Sequence, residues 1–197
     1  MKIAFVGKGG AGKTTVSSLF CLYYSKNKSV LAIDADINMH MAELLGLNAT
    51  SSDLLLSEKY PSDKIRTWLR GDNSRIKNNA EFKKSTPPGR GSRIIDIKDN
   101  NWFINNYTRP ISKNLHLATV GSYSENGLAS SCYHNNLAIL ENILSHTNDS
   151  GVVAVDMVAG TDAFASTLYA QFDLLPFAVE PPVPGLKVLD DYLRLAE

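Results

Sequence analysis

The stretch Gly7-Lys8-Gly9-Gly10-Ala11-Gly12-Lys13-Thr14 decides how the rest of the chain is read. Gly7, Gly12, Lys13 and Thr14 fill the pattern G-x-x-x-x-G-K-[ST]. Its flanks have the character that pattern needs. Residues 2–6, Lys-Ile-Ala-Phe-Val, read as a short buried strand. Residues 13–26 read as a helix, with Val16, Leu19, Phe20 and Tyr23 at helical spacing. Between them, glycines let consecutive backbone N–H groups turn inward around phosphate oxygens, and the helix N-terminus adds its partial positive charge. The expected nucleotide-binding residues are Gly9, Gly10, Ala11, Gly12, Lys13, Thr14 and Thr15. Lys13 is expected at the β- and γ-phosphates, and the Thr14 hydroxyl on Mg²⁺.

A rival reading uses the same residues. Gly7-x-Gly9-x-x-Gly12 also satisfies the dinucleotide fingerprint, and Asp34 lies 22 residues beyond Gly12, where a ribose-binding acid belongs. In that reading Lys13-Thr14 has no task, and neither has a second carboxylate-ended strand at Asp156. The phosphate-loop reading uses all of them.

Outward from the loop, the chain alternates between strands and helices. Ser29–Asp34 is a second apolar run ending in a carboxylate, and His40–Leu45 reads as a short helix stopped by Gly46. Strand signals resume at Leu115–Val120. A helix over about 134–146 carries Leu137, Leu140, Ile143 and Leu144 on one face. Gly151–Asp156 is a third strand with a terminal carboxylate. A helix at about 162–171, a strand at 173–179 and a helix at 185–196 follow. This alternation predicts an α/β fold: a parallel sheet with helices on both faces, in one domain over residues 1–197.

Residues 48–114 break the pattern. They are polar and basic, with Pro87-Pro88-Gly89-Arg90-Gly91 near the middle, and read as an insertion with short helices around 62–70 and 75–84 and then a loop. The chain is neutral, with 20 basic and 20 acidic residues, yet residues 58–113 hold 13 Lys/Arg against 6 Asp/Glu. That imbalance reads as a solvated surface or as a docking face for an acidic partner, with nucleic acid left open. Aromatic residues there do not alternate with the basic ones in a stacking pattern.

No apolar run reaches the roughly 18 residues that span a bilayer. The N-terminal apolar stretch is too short for a signal peptide. Cys21 and Cys132 supply no disulfide framework, so a reducing, cytoplasmic setting is expected.

Two strand ends supply the remaining chemistry. Asp34-Ala35-Asp36-Ile37-Asn38 follows the second strand, and Asp156-Met157-Val158-Ala159-Gly160 follows the third. Ligands bind at the carboxyl ends of parallel strands, so both segments should face the phosphate loop. Phosphoryl transfer to water needs a carboxylate to hold hydrated Mg²⁺ and a group to orient the water. Asp156 suits the first task, with Asp34 supporting the metal shell, and Asp36 suits the second. Gly160 can offer its N–H to a γ-phosphate. The bland alternative makes all three acids turn and helix-capping residues.

With these residues the chain resembles the deviant-Walker-A ATPases, which include septum-site and plasmid-partition ATPases, the nitrogenase iron protein and the arsenite pump ATPase. The mark is Lys8, an additional lysine early in the loop. By this resemblance Lys8 acts catalytically on the nucleotide of a second subunit, which implies a homodimer formed on ATP binding. Within the family the likeness is greatest to the carbon monoxide dehydrogenase maturation ATPases, which assist nickel insertion. Asp34–Asn38 is similar to their Asp-x-Asp-Pro-Asn, with Ile37 for proline. Asp156–Gly160 is similar to their Asp-Met-Glu-Ala-Gly, with Val158 for glutamate. Gly121–Leu137 looks like the stretch carrying their Cys-x-Cys metal motif, here Ser130-Ser131-Cys132. Only one thiol stands at that motif. A Ni²⁺ or Zn²⁺ site across a dimer axis would draw on Cys132 and His134 of each subunit. The resemblance also implies further strands after the position of Glu197, and hence a C-terminally incomplete sheet here. The implied function is a slowly hydrolysing ATP switch serving a client enzyme of the carbon monoxide dehydrogenase type. A partition or cell-division positioning ATPase and a non-hydrolysing nucleotide-binding remnant are the alternatives.

Overall fold

The computed structural model describes residues 1–48, 54–121, 136–161, 164, 167–180 and 183–196. Its elements run β1 (Lys2–Gly7), α1 (Lys13–Tyr24), β2 (Val30–Ala35), α2 (Met41–Leu44), α3 (Lys59–Arg70), α4 (Trp102–Tyr107), β3 (Arg109–Ser112), β4 (Leu115–Thr119), α5 (Leu137–Ser145), β5 (Val152–Met157), a 3₁₀ turn (Thr167–Gln171), β6 (Phe177–Ala178) and α6 (Val183–Ala196). Six strands form one sheet in the order β3-β4-β2-β5-β1-β6. All neighbours are parallel except β3, which runs antiparallel to β4 at the edge. Crossover helices cover both faces, as parallel pairing requires.

The central strands are nearly continuous apolar runs because neither face meets water. Alternate residues divide between two packed layers. Ile3, Phe5, Val30, Ala32 and Ala154 face α1 and α2. Ala4, Val6, Leu31, Ile33 and Val155 face α3, α5 and α6. The register matters most at the strand ends. Asp34 pairs with Asp156 across β2 and β5, and Phe5 with Asp156 across β1 and β5. Asp34 continues the side of β2 that carries Val30 and Ala32, and Asp156 continues the side of β5 that carries Ala154. Two carboxylates thus stand side by side on the face covered by α1.

Several sequence expectations are corrected here. Of the apolar residues at helical spacing in α1, Phe20 packs against Phe5 of β1 at 5.4 Å, while Val16, Leu19 and Tyr23 are exposed and Lys13, Ser17, Ser18 and Cys21 are buried. Small side chains let the helix lie close against the sheet behind the phosphate loop. No helix forms over 75–84. Those residues run as turns in which Asn78 accepts from Ala80 N–H, the Asn79 amide donates to the Asp63 carbonyl, and Glu81 accepts from Lys77 N–H. Such local side-chain bonds compete with helix formation. The 173–179 strand is reduced to Phe177–Ala178, with an isolated bridge from Leu174 to Ile3. The described part of the expected 162–171 helix is the 3₁₀ turn. α4, capped by the Asn101 side chain accepting from Ile104 N–H, and the antiparallel β3 had no sequence signal in the reading above.

The basic segment is not a detachable loop. Leu56, Ile65, Leu69, Ile76, Phe82, Ile95, Ile97 and Phe103 are buried in the same core as β2 and β5. Trp68 stacks on Trp102 at 5.4 Å, joining α3 to α4. Among the described residues, no helix is long and apolar enough to cross a membrane.

Candidate functional site

The phosphate loop leaves β1 at Gly7, where two features demand glycine. Its φ is +135°, and a Cβ there would lie 2.2 Å from the Ala178 carbonyl oxygen of β6. The loop then folds on the Lys8 carbonyl, which accepts from Ala11 N–H at 3.3 Å and from the Lys13 ammonium at 3.2 Å. Gly12 caps α1 in the left-handed region (φ 84°, ψ 16°) with no side-chain cap, and no acid sits in the first turn. The first amides of α1 therefore have no competing carboxylate, which suits an incoming anion. Lys13 is buried, only 5% exposed.

A cavity of about 530 Å³ opens over this loop, a size ordinary for a small-molecule site. Gly9, Gly10, Gly12, Lys13, Thr14 and Thr15 form one wall. Asp36, Asn38, His40 and Glu43 form the other, with Ala159 beside Gly9. Two further concavities of about 440 and 520 Å³ lie around Ser29, Asn114, Asp149 and Ser150, at the amino ends of β2, β4 and β5. They match the first in volume but lack a glycine loop, so chemistry rather than size selects the site.

The carboxylates divide into distinct tasks. Asp156 is fully buried, and neither of its oxygens has a hydrogen-bond partner among the described residues. Burial pushes its carboxyl up to about 6. The Thr14 hydroxyl and the Lys13 ammonium act in the opposite direction, and the His40 ring does so more weakly. A buried carboxylate that faces the Thr14 hydroxyl and the Lys13 ammonium and has lone pairs to spare suits a hydrated divalent cation. Asp34 is also fully buried, but its oxygens accept the Asp36 and Met41 amides at 3.1 and 3.0 Å. Burial, aided by the neighbouring Asp156, raises it to about 7 against those hydrogen bonds. Asp34, expected in the metal shell, is thus engaged in shaping the turn that carries Asp36. Asp36 is half-buried at the cavity rim, and its Oδ1 accepts from the Asn38 backbone and side-chain nitrogens at 2.9 and 2.8 Å.

Gly160 closes the site from β5. Its N–H donates to the Gly7 carbonyl at 3.3 Å, and its φ is +101°. Lys8 pairs with Glu180, Nζ to Oε2 3.7 Å. Glu180 was not among the sequence candidates, nor were the wall residues His40 and Glu43. Position just after a strand end was their only signal. Among the described residues, no three His, Cys, Asp or Glu side chains gather to hold a metal by themselves. Cys132, with Ser130 and His134, lies outside the described residues. Cys21 lies on the buried face of α1, and burial with the nearby Asp156 pushes its thiol up to about 12, away from the thiolate form.

Comparison with known proteins agrees with this geometry. The chain is 29% identical over 184 residues to the carbon monoxide dehydrogenase accessory protein CooC of Rhodospirillum rubrum, covering 92% of this chain and 63% of that protein. It is 27% identical over 200 residues to an uncharacterized ATP-binding protein of Methanocaldococcus jannaschii, covering 100% of this chain and 69% of the relative. The crystal structure of a ParA family ATPase from Chlorobium tepidum superposes with a TM-score of 0.61 at 16% identity, over 98% of this chain and 66% of that one. The chain thus spans about two thirds of the length of the proteins it matches. Residues 3–178 match the model of the CobQ/CobB/MinD/ParA nucleotide-binding domain, and the chain belongs to that family.

Proposed function

We propose that this chain is an Mg-ATP-dependent switch that hydrolyses ATP slowly and pairs with a second copy when ATP is bound. The observation that carries the reading is the buried Asp156 carboxylate, which faces the Thr14 hydroxyl and the Lys13 ammonium beneath an uncapped glycine loop. The loop amides from Gly9 to Thr15 cradle the phosphates. Lys13 neutralises β- and γ-phosphate charge, and Thr14 and Asp156 hold the cation, in part through water. Magnesium, when bound, supplies further charge neutralisation at the phosphate oxygens. Asp36, on the turn that Asp34 braces, orients the attacking water. Catalysis by positioning alone is slow without a partner's contribution, and Lys8 is the residue that reaches the second subunit's nucleotide.

Likeness to the carbon monoxide dehydrogenase accessory protein CooC supports service to an enzyme of that type as the task, and we infer a Ni²⁺ or Zn²⁺ site that uses Cys132 between subunits. A second reading, a partition or positioning ATPase, is favoured by the basic 58–113 segment, where Lys59, Lys64, Arg75, Lys77, Lys83, Lys84, Arg90 and Arg93 are exposed to an acidic partner or nucleic acid. The decisive first experiment is Lys13→Ala with ATP binding measured by calorimetry in Mg²⁺. Loss of binding is expected, and retained affinity overturns the site. Metal content of the purified dimer, with and without Cys132→Ser, separates the two tasks.

A further inference from the structure

The aromatic residues of the basic segment are scattered in sequence, but the fold gathers them. Tyr60, Lys64 and Trp68 follow one another at four-residue spacing on α3, so they share one side of that helix over roughly 12 Å. The Lys64 ammonium lies 5.3 Å from the centre of the Tyr60 ring, and the Arg93 guanidinium 5.8 Å from the centre of a Trp68 ring. Trp68 stacks on Trp102 of α4, and Trp102 packs against Tyr107 at 5.1 Å. Burial, and after it the Tyr60 phenol, raise Tyr107 above the usual tyrosine value, which puts Tyr60 near α4 as well. Arg93 is pinned to the end of α3, where its N–H donates to the Leu69 carbonyl at 2.9 Å. The result is one row in which cations and rings alternate.

The outer members of this row face solvent. Tyr60 is 71% exposed, and Lys64 and Arg93 are exposed beside it. A tyrosine so placed contributes little to the core. Among the described residues, neither Lys64 nor Arg93 is in a salt bridge. The segment around them holds 13 Lys/Arg against 6 Asp/Glu, so an anion meets little opposing charge. A partner that uses every part of the row needs flat faces as well as negative charge. Bases stack on aromatic rings and on guanidinium planes, while the phosphates beside them meet the ammonium groups. A run of carboxylates satisfies the charge and leaves the flat faces unused. A duplex satisfies the charge but keeps its base faces inside its own stack.

We propose that the face of α3 bearing Tyr60 and Lys64, together with Arg93 over Trp68, binds single-stranded nucleic acid, with bases stacked on Tyr60 and on the Arg93 guanidinium and phosphates held by Lys64 and the lysines around it. The inference rests on the second reading above, in which the basic 58–113 segment is an interaction face, and is independent of the ATP site.

The test uses the 197-residue chain and fluorescein-labelled oligo(dT) of about a dozen nucleotides. Anisotropy is followed at one fixed salt concentration, because phosphate contacts weaken as salt rises. A duplex of equal length and polyglutamate are measured beside it. Tyr60 and Arg93 are exposed, and thermal unfolding checks the fold of each variant. The single strand is expected to bind more tightly than the duplex or polyglutamate. Tyr60→Ala should weaken it by about fivefold or more, the low end of what base stacking contributes, and Tyr60→Phe should bind as wild type. Arg93→Lys keeps the charge and loses the plane, and should weaken binding by about two- to fivefold. Single-strand binding that Tyr60→Ala and Arg93→Lys leave unchanged overturns the inference. So does a duplex bound as tightly as the single strand; the basic face then stands and only the stacking falls. Polyglutamate bound more tightly than the single strand assigns the face to an acidic protein and overturns the inference in the same way. If none of the three binds, the second reading of the segment falls and this inference falls with it.

Discussion

Asp34 and Asp156 are register partners at the ends of adjacent parallel strands, both fully buried, and each carries a carboxyl displaced upward by burial, to about 7 and about 6. An acid whose pKa is higher in the folded chain than in the unfolded one binds protons more tightly when folded. Stability from this source is present at low pH and is lost as pH rises through the folded values. Between about pH 4 and pH 7 the nucleotide-free chain should therefore become less stable as pH rises. Asp156→Asn should raise its stability near pH 8 by roughly 1–3 kcal/mol and flatten that dependence. Urea melts between pH 5 and 8 without Mg²⁺ check this; a wild-type chain that gains stability across the interval contradicts it. The same variant should lose the Mg²⁺ requirement for nucleotide binding.

The Lys8–Glu180 contact, at 3.7 Å with both side chains about a third exposed, holds the loop lysine within its own subunit. Exposed pairs of this kind contribute about 0.2–1 kcal/mol, so the restraint is weak and reversible. Glu180→Gln should tighten ATP-dependent dimerisation by about two- to fivefold, and Lys8→Ala should abolish it while sparing ADP binding by the monomer. Sedimentation with the ATP analogue reads both. Weaker dimerisation in the glutamine variant would mean that Glu180 works inside the interface.

Asp36 stands at the cavity rim with one oxygen engaged by Asn38. Asp36→Ala should leave ATP binding intact and lower phosphate release by about 100-fold, the low end of what a positioned proton-handling group contributes. The dimer should persist with ATP bound. Turnover equal to wild type would assign the water to another group.

Gly7→Ala tests the root of the loop. A methyl group there meets the Ala178 carbonyl at 2.2 Å in a backbone conformation that alanine rarely adopts. The expected cost is roughly 2–4 kcal/mol of folding stability, combining torsional strain and a forced shift of β6 against β1. Chemical denaturation measures it, and a change below about 0.5 kcal/mol would show that β6 yields freely.

The strand–loop–helix unit at residues 2–24 was legible from sequence because its chemistry is contiguous: the glycines, Lys13 and Thr14 act through backbone amides a few residues apart. The apolar runs at 30–35, 115–119 and 152–157 were equally plain, since strands buried on both faces must be apolar. The buried face of α1 was not legible, because periodicity identifies a helix but not the neighbour it packs against. Ser17, Ser18 and Cys21 were chosen by the sheet. The 75–84 turns were missed because side-chain-to-backbone bonds from Asn78 and Asn79 outweighed a weak helical propensity.

By itself, then, the sequence determined the phosphate loop, the parallel sheet and the carboxylates at its strand ends, because each depends on residues near one another in the chain. Only the tertiary structure decided that Asp34 braces a turn while Asp156 faces Thr14 and Lys13, that Glu180 holds Lys8, and that Tyr192 reaches Gly160. Those contacts depend on strand register and on how β6 and α6 return to β1. Both are set by packing over the whole core, and no local pattern of residues encodes them.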